Sequence, residues 1–142
     1  MKKTTIVTFL LFAVQAVYAQ DYLSSKEDLS KYSEKIMMFL KDSEFEKAFL
    51  ELRKYWPLPE NEIAQMESQS IKQFNVAADR FGKTIGTDFV RDKTIKDFYV
   101  NKIYVIRFER HMVRVLFTFY RNDKGWVLNQ FKWDDQVQEL FE

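Results

Sequence analysis

The chain has 142 residues, with 22 Lys and Arg against 21 Asp and Glu, one His and no Cys. Such a near-neutral balance excludes electrostatic capture of nucleic acid, which needs a basic stripe to displace counterions. The lack of Cys excludes a disulfide scaffold, thiolate metal sites, a Cys nucleophile and a lipid-modified N-terminal Cys, and the composition points to no cofactor.

Lys2 and Lys3 precede a short apolar run, Ile6–Val14. Small residues follow, and Val17-Tyr18-Ala19 offers a cleavage site before Gln20, with Ala16 as a second candidate. The run falls short of the roughly 20 residues that span a bilayer. The expectation is a signal peptide at 1–19, cleaved on export to the periplasm or beyond the cell, with an uncleaved anchor as the competing reading. Nothing later is apolar enough for a membrane span. Removing Met1–Ala19, with its two lysines and no acid, leaves 123 residues carrying 20 basic and 21 acidic side chains. At that length, residues 20–142 are expected to fold as a single domain.

Up to about residue 85 the apolar residues recur at helical spacing. Ser24-Ser25-Lys26-Glu27 has the capping-box pattern, a hydroxyl with a carboxylate three residues on. Leu29, Tyr32, Ile36, Phe39 and Leu40 then mark one face of a helix over 25–41. Ser43-Glu44-Phe45-Glu46 repeats the capping signature ahead of Phe45, Phe49, Leu52 and Trp56, the stripe of a second helix that Pro57-Leu58-Pro59 stops. Pro59 or Glu60 opens a third, with Ile63, Met66, Ser70, Phe74, Ala77 and Phe81 as its buried line. Gly82 sits where a left-handed C-cap belongs.

After Gly86, β-branched and aromatic residues alternate. Strands are expected at 89–94, 98–109, 112–121 and 126–133. Ile95-Lys96-Asp97 reads as a bend, Arg110-His111 as a turn, and Asn122-Asp123-Lys124-Gly125 as a stronger turn in which Gly125 supplies positive φ. Asp135-Gln136-Val137-Gln138 reads as a cap opening a short terminal helix. The predicted fold class is therefore α+β: three N-terminal helices packed on a curved antiparallel sheet of about four strands, with a short C-terminal helix.

Pairing about Arg110-His111 sorts the middle strands into two faces. Tyr104, Ile106, Phe108, Val113, Val115, Phe117 and Phe119 form an apolar face expected to meet the helices. Ile103, Val105, Arg107, Glu109, Arg114, Leu116, Thr118 and Tyr120 form the other. A three-residue loop ending at Gly125 adds Phe131 and Trp133 to the first face, and Trp126 and Leu128 to the second. The second face then carries more apolar surface than a solvated sheet usually shows. In this register Arg107 and Arg114 lie opposite one another, and like charges across a ladder are destabilising unless an anion lies between them. A carboxylate or phosphate would serve, although Glu109, another acid or simple splaying into water explains the pair as well.

Phe117-Thr118-Phe119-Tyr120, Gly125-Trp126-Val127-Leu128, Phe131-Lys132-Trp133-Asp134-Asp135 and Leu140-Phe141 together resemble a C-terminal pattern of small exported bacterial proteins of uncharacterised function. In outline those domains are similar to the nuclear transport factor 2-like superfamily, a cone-shaped α+β fold that hosts enzymes, carriers and oligomerisation modules alike. The resemblance implies the fold and no catalytic residue. The chain departs from the usual layout in having no predicted strand between the second and third helices.

Chemistry-bearing residues are few. His111, placed in a turn without a neighbouring nucleophile, reads as a solvated turn histidine rather than a base. Asp134 and Asp135 suggest either acid–base or calcium chemistry or, more simply, a helix cap. Phosphate loops, nucleophile elbows and paired zinc histidines are absent from the sequence. Two readings follow. One is a non-catalytic binding module that meets a partner protein, a second copy of itself or an envelope component through Arg107, Arg114, Leu116, Tyr120, Trp126 and Leu128. The other is a small-ligand carrier or cryptic enzyme with a pocket between sheet and helices.

Overall fold

A computed structural model describes residues 20–142; the predicted signal peptide, residues 1–19, lies outside the described residues. Three helices come first, α1 (Lys26–Lys41), α2 (Phe45–Tyr55) and α3 (Glu60–Phe81). A meander of four antiparallel strands follows: β1 (Thr84–Ile95), β2 (Tyr99–Phe108), β3 (Met112–Arg121) and β4 (Trp126–Asp134), in spatial order β1-β2-β3-β4. A single 3₁₀ turn, Val137–Phe141, ends the chain. The fold is α+β. Among the described residues no helix is long and apolar enough to cross a membrane.

α3 opens at Glu60 as expected, while the caps of α1 and α2 differ from expectation by single residues. The box that opens α1 is Ser25 with Asp28: the Asp28 N–H donates to Ser25 Oγ at 3.1 Å, and the Ser25 N–H donates to Asp28 Oδ2 at 3.0 Å. Ser24 and Glu27 lie one residue too early, and Asp serves at the third helical position as well as Glu does. At α2 the N-cap is Glu44, without a side-chain cap bond, and Ser43 takes a left-handed φ of 60° instead of capping. Gly82 does take positive φ, 89°, and its N–H closes α3 on Ala78 O at 2.8 Å. Trp56 and Phe45, Phe49 and Leu52 are buried as their spacing requires. Along α3 only Ile63, Phe74 and Ala77 are buried, and Met66, Ser70 and Phe81 are half-buried.

β1 begins at Thr84, five residues before the expected strand, because two register shifts, after Thr84 and after Phe89, interrupt its alternation. Between β2 and β3 the turn is Glu109-Arg110, closed by Phe108 N–H to His111 O at 2.7 Å. Arg107 therefore opposes Met112, and Tyr104 opposes Val115. This differs from the predicted pairing by two residues, so both faces keep their members; a slip of one would have inverted them. Gly125 takes a φ of 148°. Asn122 Oδ1 accepts the N–H groups of Lys124 and Gly125, and a Cβ at Gly125 would meet Leu23 O at 2.9 Å. Leu23 crosses the start of β4 there, exchanging two bonds of 2.9 Å with Trp126.

The core fills the space between the helices and the inner face of the sheet. Phe49, Phe117, Phe119, Leu128 and Val115 are wholly inaccessible there. Aromatic rings meet edge to face, with Phe45 on Phe74 at 4.9 Å, Phe49 on Phe131 at 6.0 Å and Tyr104 on Phe117 at 5.7 Å. Tyr32, whose phenol burial pushes up, donates to Leu52 O and ties α1 to α2.

Candidate functional site: the outer face of the sheet

Cross-strand partners define the outer face as transverse rows. At one end Ile95, Tyr99, Tyr120 and Val127 lie side by side across the four strands. Lys93, Asn101, Thr118 and Gln130 come next, then Arg91, Ile103, Leu116 and Lys132, and then Asp88, Val105, Arg114 and Asp134. Gly86, Arg107 and Met112 form the last row.

Trp126 and Leu128 are not on this face. Their pairing with β3 shifts by one residue between Thr118 and Phe119, so that Phe119 opposes Leu128 while Thr118 opposes Gln130. Asn129 is the extra residue, and a single-residue bulge turns everything before it over. Trp126 and Leu128 thereby join the core, and Val127 takes their place outside. A uniform alternation cannot reveal this, because the bulge costs one residue in a segment that looks regular.

Arg107 and Arg114 are two residues out of line rather than opposite, and each has its own acid. Exposed Arg107 donates from Nε to Asp88 Oδ2 at 2.6 Å. Arg114 is buried; it donates to Asp134 Oδ1 at 2.7 Å and Oδ2 at 3.0 Å, and also pairs with Glu139. Neither guanidinium needs an external anion. Burial pushes the Asp134 carboxyl up, but bonds from Arg114 and from the Gln136 N–H outweigh that and hold it below its ordinary value. Asp134 is thus an ion-pair partner, not a helix cap. The Asp135 side chain caps nothing, since the terminal 3₁₀ turn has no side-chain cap bond.

Leu116 is on the outer face as expected, yet buried, with Ile103 and Val105 beside it. The chain's C-terminal turn is tied to the arginines that flank them, Arg91 beside Ile103 and Arg114 beside Val105. The 3₁₀ turn packs on β3 and is anchored by Arg114 and by Arg91, whose guanidinium donates to Leu140 O at 2.7 Å and Glu139 O at 3.3 Å. Neither Arg91 nor Glu139 stood out in the sequence; Arg91 reaches the outer face only because of the shift after Phe89. Tyr120 remains open, 42% exposed, with Ile95 at 57% in the same row. Tyr99 donates to Asn129 Oδ1 at 2.8 Å, and Asn101 donates to Thr118 Oγ1 at 2.7 Å, which fixes the polar groups flanking that row.

Elsewhere the chemistry is structural. His111 is not a solvated tip; it is half-buried with its ring 4.6 Å from Phe81. Buried Lys102 lies on the inner face, held by Asp92 at 2.9 Å and set over the Phe89 ring. The Tyr104 hydroxyl is buried beside Ser33, and neither group makes an aligned hydrogen bond. Among the described residues no group of three or more His, Cys, Asp or Glu is placed to hold a metal ion.

An apolar cleft of about 230 Å³ lies between α3 and β4, lined by Val76, Phe81, Val113 and Trp133. A surface groove of about 910 Å³ follows the loop Trp56–Glu60 beside Gln20 and Asp21. On its rim Arg53 pairs with Glu60 and Glu67, and Lys54 with Glu51, while Asp21 makes no ion pair among the described residues. In comparison with known proteins, no family model, no curated protein and no solved structure matches the chain.

Proposed function

We propose that the protein is an exported, non-catalytic binding module that meets a partner protein or envelope component, or a second copy of itself, through the outer face of its sheet. The observation that carries this reading is the row Ile95-Tyr99-Tyr120-Val127. It is apolar and aromatic across all four strands, it faces away from the helices, and it is open at Ile95 and Tyr120, with Tyr99 half-buried between them and Val127 buried at its β4 end. Tyrosine suits such a surface, offering a large apolar area with a polar tip at low entropic cost. Export is part of the proposal and rests on the Lys2-Lys3 and Ile6–Val14 pattern. So is kinship with the nuclear transport factor 2-like outline, supported by the order of helices before a strand meander.

The carrier or enzyme reading has less support. Phenylalanine rings occupy the space between sheet and helices, and the apolar cleft there, about 230 Å³, is smaller than the roughly 300–1,000 Å³ that encloses a typical small ligand. Two larger hollows, about 560 Å³ by Asp79, Lys83 and Glu109 and about 910 Å³ by Trp56–Glu60, are open surface grooves with charged linings. The test is native mass spectrometry on protein purified gently from an exporting host, wild type beside Tyr120→Glu. A dimer or protein adduct in the wild type that is lost in the variant is expected. A monomer carrying a small-molecule mass, or an adduct indifferent to Tyr120→Glu, would contradict the reading.

A further inference from the structure

The C-terminal turn packs only lightly, with Val137 and Leu140 half-buried, and keeps its place chiefly through side chains of the sheet. No residue of Val137–Phe141 is buried, and Phe141 is 83% exposed. Beside its two anchors, Arg91 and Arg114, lie Ile103, Val105 and Leu116, at 3%, 5% and 8% exposure although they point away from the helices. Arg91 makes no ion pair among the described residues, and its guanidinium is spent on two main-chain carbonyls, those of Glu139 and Leu140. Arg114 takes the Glu139 carboxylate and the Gln136 side-chain oxygen.

One guanidinium reading backbone carbonyls, a second reading a carboxylate, and an aliphatic floor together make the chemistry of a peptide-recognition site. We infer that this half of the outer face is a peptide-binding site, filled in cis by the chain's own C-terminal turn. It accepts in exchange an acidic segment of the same pattern, a carboxylate with an apolar side chain two residues before it and another directly after it, as Val137 and Leu140 flank Glu139, from a partner protein. This rests on the binding-module reading and names the partner's chemistry. The resident turn competes at the high effective concentration of a tethered ligand, so an incoming segment binds with its affinity reduced by the fraction of time the site is open.

Glu139→Gln loosens the resident turn while Arg114 keeps Asp134, so the sheet keeps its ion pair. The probe is a labelled peptide with the sequence of residues 136–142, followed by fluorescence anisotropy against the full chain. The peptide is expected to bind the variant at least about tenfold tighter than the wild type, and to lose at least about tenfold when its own Glu139 position carries Gln. A concentration-dependent dimer of the variant that free peptide dissolves would support the same site, with a second copy's turn as the occupant. No binding to a folded variant, or binding indifferent to the peptide's Glu, would overturn it. Should the variant not fold, hydrogen exchange on the wild type decides. The Val137–Phe141 amides should exchange by local opening well ahead of β3, and exchange only with global unfolding would refute an exchangeable turn. Partner association lost in Tyr120→Glu without peptide binding would sink the peptide site alone. Peptide binding with no partner association would sink the reading of the open row instead.

Discussion

The two faces of the sheet carry similar residues to different ends. The inner face is built from Phe117, Phe119, Leu128 and Phe131, locked under helices whose own stripes were spaced to meet them. The outer face has apolar residues too, but in separate rows: one aromatic and open at Tyr120 and Ile95, one beside the anchored C-terminal turn, with the Asn101–Thr118 hydrogen bond between them and the Arg114–Asp134 ion pair beyond. Apolar burial against many partners makes the inner face the seat of stability. The outer face keeps surface that only a further contact would remove from water.

Substitutions break this comparison most sharply at the bulge. Leu128→Glu puts a charge among inaccessible side chains and is expected to cost at least about 3 kcal/mol, enough to unfold a marginal domain. Thermal melting checks it, and a wild-type midpoint would mean that the Asn129 bulge is misplaced. Next comes Lys102, buried on the inner face, with 5% of its side chain exposed against 39% for Asp92. Asp92→Ala strands that ammonium and should cost about 2 kcal/mol, at the low end for broken buried pairs because water reaches Asp92. Lys102→Met in the same background should restore most of the loss.

A smaller effect comes with acid. The Asp134 carboxyl is held below its ordinary value by Arg114 against the opposing pull of burial, and Glu51 likewise by Lys35 and Lys54. Groups whose folded pKa is depressed contribute stability above the unfolded value, about pH 4, and that stability is lost as pH falls through the folded value. Denaturant midpoints should therefore be flat from pH 7 to about 5 and decline below about 4. Arg114→Met should reduce that decline. Tyr120→Glu should move stability least, within about 0.5 kcal/mol, because the side chain stands in water.

Much of the architecture could be read from periodicity. Phe45, Phe49, Leu52 and Trp56 announced α2 and its buried stripe, and the proline pair marked its end. The faces of β2 and β3 survived an error in the turn because the error was even. What the residues could not announce were the irregularities: Asn129, the shifts in β1, and the departure of Asp134 from capping to pair with Arg114. Each depends on a neighbour distant in the chain. The candidate surface was therefore half legible, with Leu116, Tyr120, Arg107 and Arg114 outside as expected, and Trp126 and Leu128 moved to the core by one residue of bulge.

Leu128→Glu and Tyr120→Glu, purified side by side and measured for both melting temperature and native mass, test the division of labour most directly. The expected result is a collapsed midpoint for Leu128→Glu, and for Tyr120→Glu a wild-type midpoint with the associated species gone. A stable Leu128→Glu, or a Tyr120→Glu that unfolds or still associates, would contradict the assignment of stability to the inner face and contact to the outer one.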